Sequence, residues 1–278
     1  MIESKESDYK TMALFFIVSL VIVLVYLTIY LSGTIQAIEL MSMGLIHRTL
    51  ILNSILLLGA IYCVLILYGK LQSKDFGLIG RKLPLAVIVG LITWILVQII
   101  EALLSYIDTG IVEIDPIWNS EGLAQIGLLI GMVFGTALYE ETGFRGFLLV
   151  QFRMKMEHVM ENRYLQIIVA LLVSQLFFSL LHLPWMVLNQ GWTITVATDL
   201  VFSVFLNGII YGLLYLRTEN LFFVMIVHGL GNAQTSLVSP LIQPSNLLLL
   251  LAIIWAIIWP RLRNWENGRE RESPLETI

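Results

Sequence analysis

An all-α, polytopic membrane protein is the fold class this sequence predicts, and three observations predict it. Only 13% of the 278 residues are charged while 58% are hydrophobic, against roughly 25% charged in a soluble domain. Apolar runs about 20 residues long, the length a helix needs to cross the hydrocarbon core, recur from one end of the chain to the other. Lysine and arginine fall almost entirely in alternate connections between those runs.

The first run, Thr11 to Leu31, is too long for the apolar part of a signal peptide. It follows a mixed-charge head (Glu3, Lys5, Glu6, Asp8, Lys10) and lacks a small-residue cleavage pattern, so it reads as a retained first span. Further spans follow at 49–69, 84–107, 124–151, 163–183, 194–216, 220–239 and 245–260. The expected architecture is a bundle of eight transmembrane helices. Pro84, Pro116, Pro184, Pro240, Pro244 and Pro260 fall at or between the expected ends, in keeping with proline's poor fit to helix interiors.

Charge then orients the bundle. Lys5 and Lys10 precede the first span; Lys70, Lys74, Arg81 and Lys82 separate the second from the third. Arg153, Lys155 and Arg163 separate the fourth from the fifth, Arg217 the sixth from the seventh, and Arg261, Arg263, Arg269 and Arg271 follow the eighth. In the other connections Arg48 stands alone. The positive-inside rule therefore puts both termini in the cytoplasm. The slightly acidic stretch from Asp108 to Gln125 becomes an external loop. Residues 152–162 either extend the fourth helix or lie along the interface. With no internal repeat, residues 1–278 form one integral-membrane domain. Its core is about 124–240, and 261–278 is a short charged tail.

A net charge of −4 without a basic patch excludes nucleic acid as a natural partner and leaves the lipid bilayer as the main one. Cys63 is the one cysteine. It forms no internal disulfide and reads as a small packed hydrophobe.

The fourth span contains Glu140-Glu141-Thr142-Gly143-Phe144-Arg145. An ionised side chain at a span centre costs roughly 2.5–3.5 kcal/mol on insertion scales, so two adjacent carboxylates demand an explanation. Glu141 and Arg145 are one turn apart, acid first, the favourable order for an ion pair. Glu140 points about 100° away and has no local partner. The fifth span carries Phe178 and His182 one turn apart, and the seventh carries His228 and Asn232. Gly229 and Gly231 keep that helix slim for a close neighbour. A water held by Glu140 can attack a peptide carbonyl, with His182, His228 or Asn232 donating to the oxyanion. Two histidines and a carboxylate (Glu140, His182, His228) are also a hydrolytic zinc set. Asn232 is a poor zinc ligand and a good oxyanion donor, which favours a site without a cofactor. Glu101 reads as a boundary residue near the external end of the third span. Gly208-x-x-x-Gly212 reads as close helix packing.

Glu-Glu-x-x-x-Arg, Phe-x-x-x-His and His-x-x-x-Asn, in that order on successive apolar segments, resemble the CAAX prenyl protease and bacteriocin-processing family of intramembrane endopeptidases. The likeness runs from about Ala124 to Asn232. It implies an eight-helix fold and endopeptidase activity on a membrane-associated peptide or protein. The substrate implied by the eukaryotic members is a prenylated CAAX protein that loses its last three residues. Carried over by position, Glu140 is the general base, Glu141, Arg145 and Phe178 support it, and His182, His228 and Asn232 complete the site. Both metal-dependent and glutamate-activated mechanisms are proposed for the family. Two other classes compete: a proton- or ion-coupled transporter, since intramembrane carboxylates and histidines also make proton relays, and a non-catalytic immunity or scaffold protein of the same fold.

Overall fold

The computed structural model describes residues 4–233 and 235–271, with residues 264–271 described by backbone alone. The fold is all-α. Among the described residues the β pairing is a single antiparallel bridge, Ile114 to Val238. Among the described residues, seven helices are long and apolar enough to cross a membrane. They are α1 (Tyr9–Leu31), α3 (Arg48–Tyr68), α4 (Gly80–Thr109), α5 (Ile117–Glu157), α6 (Arg163–Gln190), α7 (Ile194–Thr218) and α9 (Pro244–Arg271). A short α2 (Thr34–Met41) links the first two long helices, and α8 (Leu221–Ala233) precedes the last.

The count of eight spans is thereby corrected. The segment expected at 220–239 is a helix of 13 residues, about 20 Å long and short of the ~30 Å hydrocarbon core. Helical bonding stops at Ala233 because Thr235 and Ser236 turn to α4 and to the start of α5. Trp94 Nε1 donates to Thr235 Oγ1 (3.0 Å), Leu237 N to Gln98 Oε1 (2.7 Å) and Trp118 Nε1 to the Ser236 carbonyl (2.7 Å). These bonds satisfy the backbone that leaves the helix, as a buried non-helical segment requires.

Two proline expectations also fail. Pro184 lies inside α6 and Pro260 inside α9. Packing on neighbouring helices holds both through the lost bond, as happens in membrane helices. The expected tail is helical backbone as far as Arg271, and residues 272–278 lie outside the described residues. Cys63 is exposed on the outer side of α3 rather than packed.

Neighbouring helices alternate in direction. Tyr26 on α1 donates to the Arg48 carbonyl on α3 (2.9 Å). On α5, Tyr139 donates to Ser19 of α1 (2.7 Å), while Gln151 near its end accepts from Ser7 N before α1 (2.7 Å). The α5–α6 pair is an antiparallel hairpin in which Phe144 packs edge-on against Phe178, ring centroids 5.1 Å apart. The start of α1 and the end of α9 therefore lie at one end of the bundle, here the terminal end. The starts of α3, α5, α7 and α9 lie at the other, the far end.

Small residues set the closest approaches. A Cβ on Gly229 of α8 would stand 2.9 Å from the Val133 Cα of α5. One on Gly208 of α7 would stand 2.5 Å from Gln175 Oε1 of α6, and one on Gly212 would collide with Leu171. Gly208 and Gly212 are packing residues, as their spacing suggested.

Candidate active site

Glu140 and Glu141 sit where α5 is locally widened, with wide-turn stretches at Gly131–Ala137 and Glu141–Leu149 flanking one ordinary turn. Such widening is common where a helix bears a functional group. Glu141 turns inward to Arg145, with Oε1 3.2 Å from Nη1 and both side chains fully buried. Arg145 Nη2 donates to the Gly208 carbonyl (3.2 Å). Its guanidinium lies over the Phe178 ring, 4.4 Å from the centroid. The pair is held by an aromatic face and a backbone acceptor as well as by charge, which offsets part of the desolvation cost.

The same Glu141 oxygen has a second partner. His228 Nδ1 donates to it across 2.7 Å. Tyr211 of α7 stacks on the His228 ring at 4.6 Å and 18°. His228 is fixed in orientation, with Nε2 left to face Glu140 Oε2 at 3.7 Å. His182 is fixed in a parallel way. Its Nδ1 donates to the Phe178 carbonyl (2.9 Å), its ring packs edge-on against Phe178 (4.5 Å), and its Nε2 faces Glu140 Oε1 at 3.5 Å. Glu140 thus stands between two imidazoles presented from opposite sides by their Nε2 atoms. A histidine whose other nitrogen is committed to a carboxylate or carbonyl has its tautomer set.

The depth of His182 follows from the hairpin. Because α5 and α6 run antiparallel from their shared turn, position 182 falls opposite position 140. His228 reaches the same level because α8 starts well inside the bundle. A Cβ on Gly146, one and a half turns below Glu140, would lie 3.1 Å from Leu221 at the head of α8.

Glu140, His182, His228 and Asn232 line one cavity of about 530 Å³, together with Phe178, Tyr211 and residues of α1 and α3. That is within the size range of small-molecule sites. Asn232 is exposed on the cavity wall one turn beyond His228. Residues 122–234 match the family model described as Type II CAAX prenyl endopeptidase Rce1-like. The match places that stretch in the CAAX prenyl endopeptidase family. No curated protein and no solved structure matches the chain. Over that stretch the chain is similar to a family of membrane proteases, and its long apolar helices are those of an integral multi-pass protein.

Each Glu140 oxygen faces a different imidazole, and no group of three His, Cys, Asp or Glu among the described residues is arranged to hold an ion. No step below is routed through a metal.

Sequence reasoning missed two features. Tyr211 lies in the stretch that drew notice for Gly208 and Gly212, and a helical aromatic one turn from a packing glycine is its only signal. Glu101 is not a boundary residue. It is 1% exposed and hydrogen-bonded to Ser236 Oγ, which also lies 2.7 Å from the Val238 carbonyl. A hydroxyl has one proton, so it cannot donate to both at once. The Ser236 proton is therefore shared between the Glu101 carboxyl and the Val238 carbonyl.

Proposed function

We propose that this CAAX prenyl endopeptidase-like chain hydrolyses a peptide bond of a membrane-associated substrate with water activated by Glu140. The observation that supports it best is the placement of Glu140 between two Nε2 atoms at 3.5 and 3.7 Å, inside the cavity. Those spacings are long for direct hydrogen bonds and too short for a water between the groups, so the attacking water sits beside the carboxylate on its cavity side.

In the reaction, a water proton passes to Glu140 while the oxygen bonds to the scissile carbonyl carbon. The carbonyl π electrons move to oxygen. Asn232 Nδ2–H and a protonated imidazole Nε2–H donate to that oxyanion. When the tetrahedral species collapses, the C–N bond breaks and the proton held by Glu140 goes to the leaving nitrogen. Water has been split between the new carboxyl and amino ends. Glu141 and Arg145 touch no substrate in this scheme and act by orienting His228 and shaping the floor. The apolar walls suit an alkyl or prenyl chain, since each buried CH₂ gains about 0.8 kcal/mol.

The test is intact-mass analysis of a farnesylated CAAX peptide incubated with purified wild type and with His228→Ala. Wild type is expected to give two fragments whose masses sum to substrate plus one water. His228→Ala is expected to form them 10²–10³ times more slowly. An unchanged rate in the variant, or no fragments from wild type, contradicts the reading.

A further inference from the structure

The cavity lies to one side of the catalytic level, between Glu140 and the far end of the bundle. Below Glu140, toward the terminal end, Phe15, Phe144 and Phe147 are fully buried and pack edge-on around one another, centroids 5.4 and 6.0 Å from Phe15. Phe76 is buried beneath them. No lining residue of the cavity comes from this aromatic layer. The walls rise the other way, along the second half of α1 (Val23, Tyr26), past Trp185 of α6, to His47 and Arg48 at the start of α3. Arg48 begins α3 beside Gly131, whose added Cβ would meet Thr49 at 2.5 Å. Gly131 precedes Glu140 by about nine residues, or ~13 Å along the axis. The lining thus reaches the far end, about four extended residues from the site.

Charge distinguishes the same two ends. Lys70, Lys74, Arg81, Arg153, Arg163 and Arg217 all lie at the terminal end. At the far end, among the described residues, Arg48 is the lone lysine or arginine, and it is paired with Glu39 (3.4 Å) and Tyr30 (3.0 Å). Burial pulls the neighbouring His47 below the usual imidazole range, with Glu39 pulling the other way. The far end therefore carries no cationic surplus. The lysine and arginine asymmetry of short connections sets which end stays in the cytoplasm.

We infer that the catalytic cavity opens away from the cytoplasm. The cleaved bond then belongs to a membrane-anchored peptide whose scissile segment is threaded in from the non-cytoplasmic face, not to a cytoplasmic prenylated protein. This rests on the proteolytic reading above, and it selects among substrates by side.

Two readouts test it. In full-length protein carrying Cys63→Ser, single cysteines are placed at Met41, exposed at the far end, and at Lys74, exposed at the terminal end. A membrane-impermeant maleimide should label Met41→Cys in intact cells and Lys74→Cys only after permeabilisation. The reverse pattern overturns the inference. Separately, proteoliposomes of known orientation receive a fluorogenic farnesylated CAAX peptide tethered to dextran, so that it cannot cross. Cleavage should occur when the far end faces the peptide, and cleavage only from the terminal end overturns the inference while leaving proteolysis intact. Absence of cleavage even in detergent counts against the proteolytic reading. The labelling pattern then still decides the side to which the cavity opens.

Discussion

Replacing Arg145 by methionine isolates the buried ion pair beneath the site. The change keeps an unbranched apolar side chain but removes the guanidinium that meets Glu141 at 3.2 Å, the Gly208 carbonyl at 3.2 Å and the Phe178 face at 4.4 Å. Both partners are fully buried. Breaking such a pair strands an uncompensated charge and costs about 3–5 kcal/mol. The expected loss for Arg145→Met is in that range, measured by unfolding in mixed detergent micelles. Adding Glu141→Gln removes the stranded charge and should restore most of that loss. Activity should not return with it, because His228 Nδ1 has then lost its carboxylate acceptor at 2.7 Å. A single variant as stable as wild type, or a double variant no more stable than the single, refutes the reasoning.

Other outcomes follow from particular contacts. Glu101→Ala should destabilise by about 1–3 kcal/mol, since Ser236 loses its Glu101 partner, whereas Glu101→Gln keeps an acceptor oxygen there and should melt close to wild type. Equal losses would show that the chain of bonds through Ser236 to Val238 is not what matters. Gly229→Ala puts a Cβ 2.7 Å from Val133 Cγ2 and 2.9 Å from its Cα. Moving α8 off α5 displaces His228, so turnover should fall at least tenfold while the protein still folds at a cost of about 1–3 kcal/mol. Wild-type activity in that variant would place α8 elsewhere. A strong chelator should leave turnover unchanged. Loss of activity that added zinc restores would show that the site converges on an ion after all.

Much of the site was legible because its residues are improbable where they stand. Carboxylates and histidines inside apolar segments are costly, and the one-turn spacing of Glu141 and Arg145 states their pairing outright. The pattern does not say which residue on another helix completes a group. Glu141 proved to serve both Arg145 and His228, and Tyr211 holds His228 from a third helix. The fold was read well where spans are long and uniform. It was misread after Ala233, where apolar composition continues but the chain leaves the helix to bond with α4. That turn is also what buries Glu101, so one error in helix length produced the error in that residue's role. Pro184 and Pro260 misled for a related reason: local propensity marks helix ends only where neighbours do not hold the helix together.

The central claim is that Glu140 activates the attacking water, and one comparison reaches it directly. Wild type and Glu140→Ala are assayed in detergent on a fluorogenic prenylated CAAX peptide, with matched melting curves as the control for folding. Loss of a general base costs about 10²–10⁴ in rate, so turnover by the variant should fall by at least a hundredfold with melting nearly unchanged. Equal cleavage by the two proteins would contradict the account.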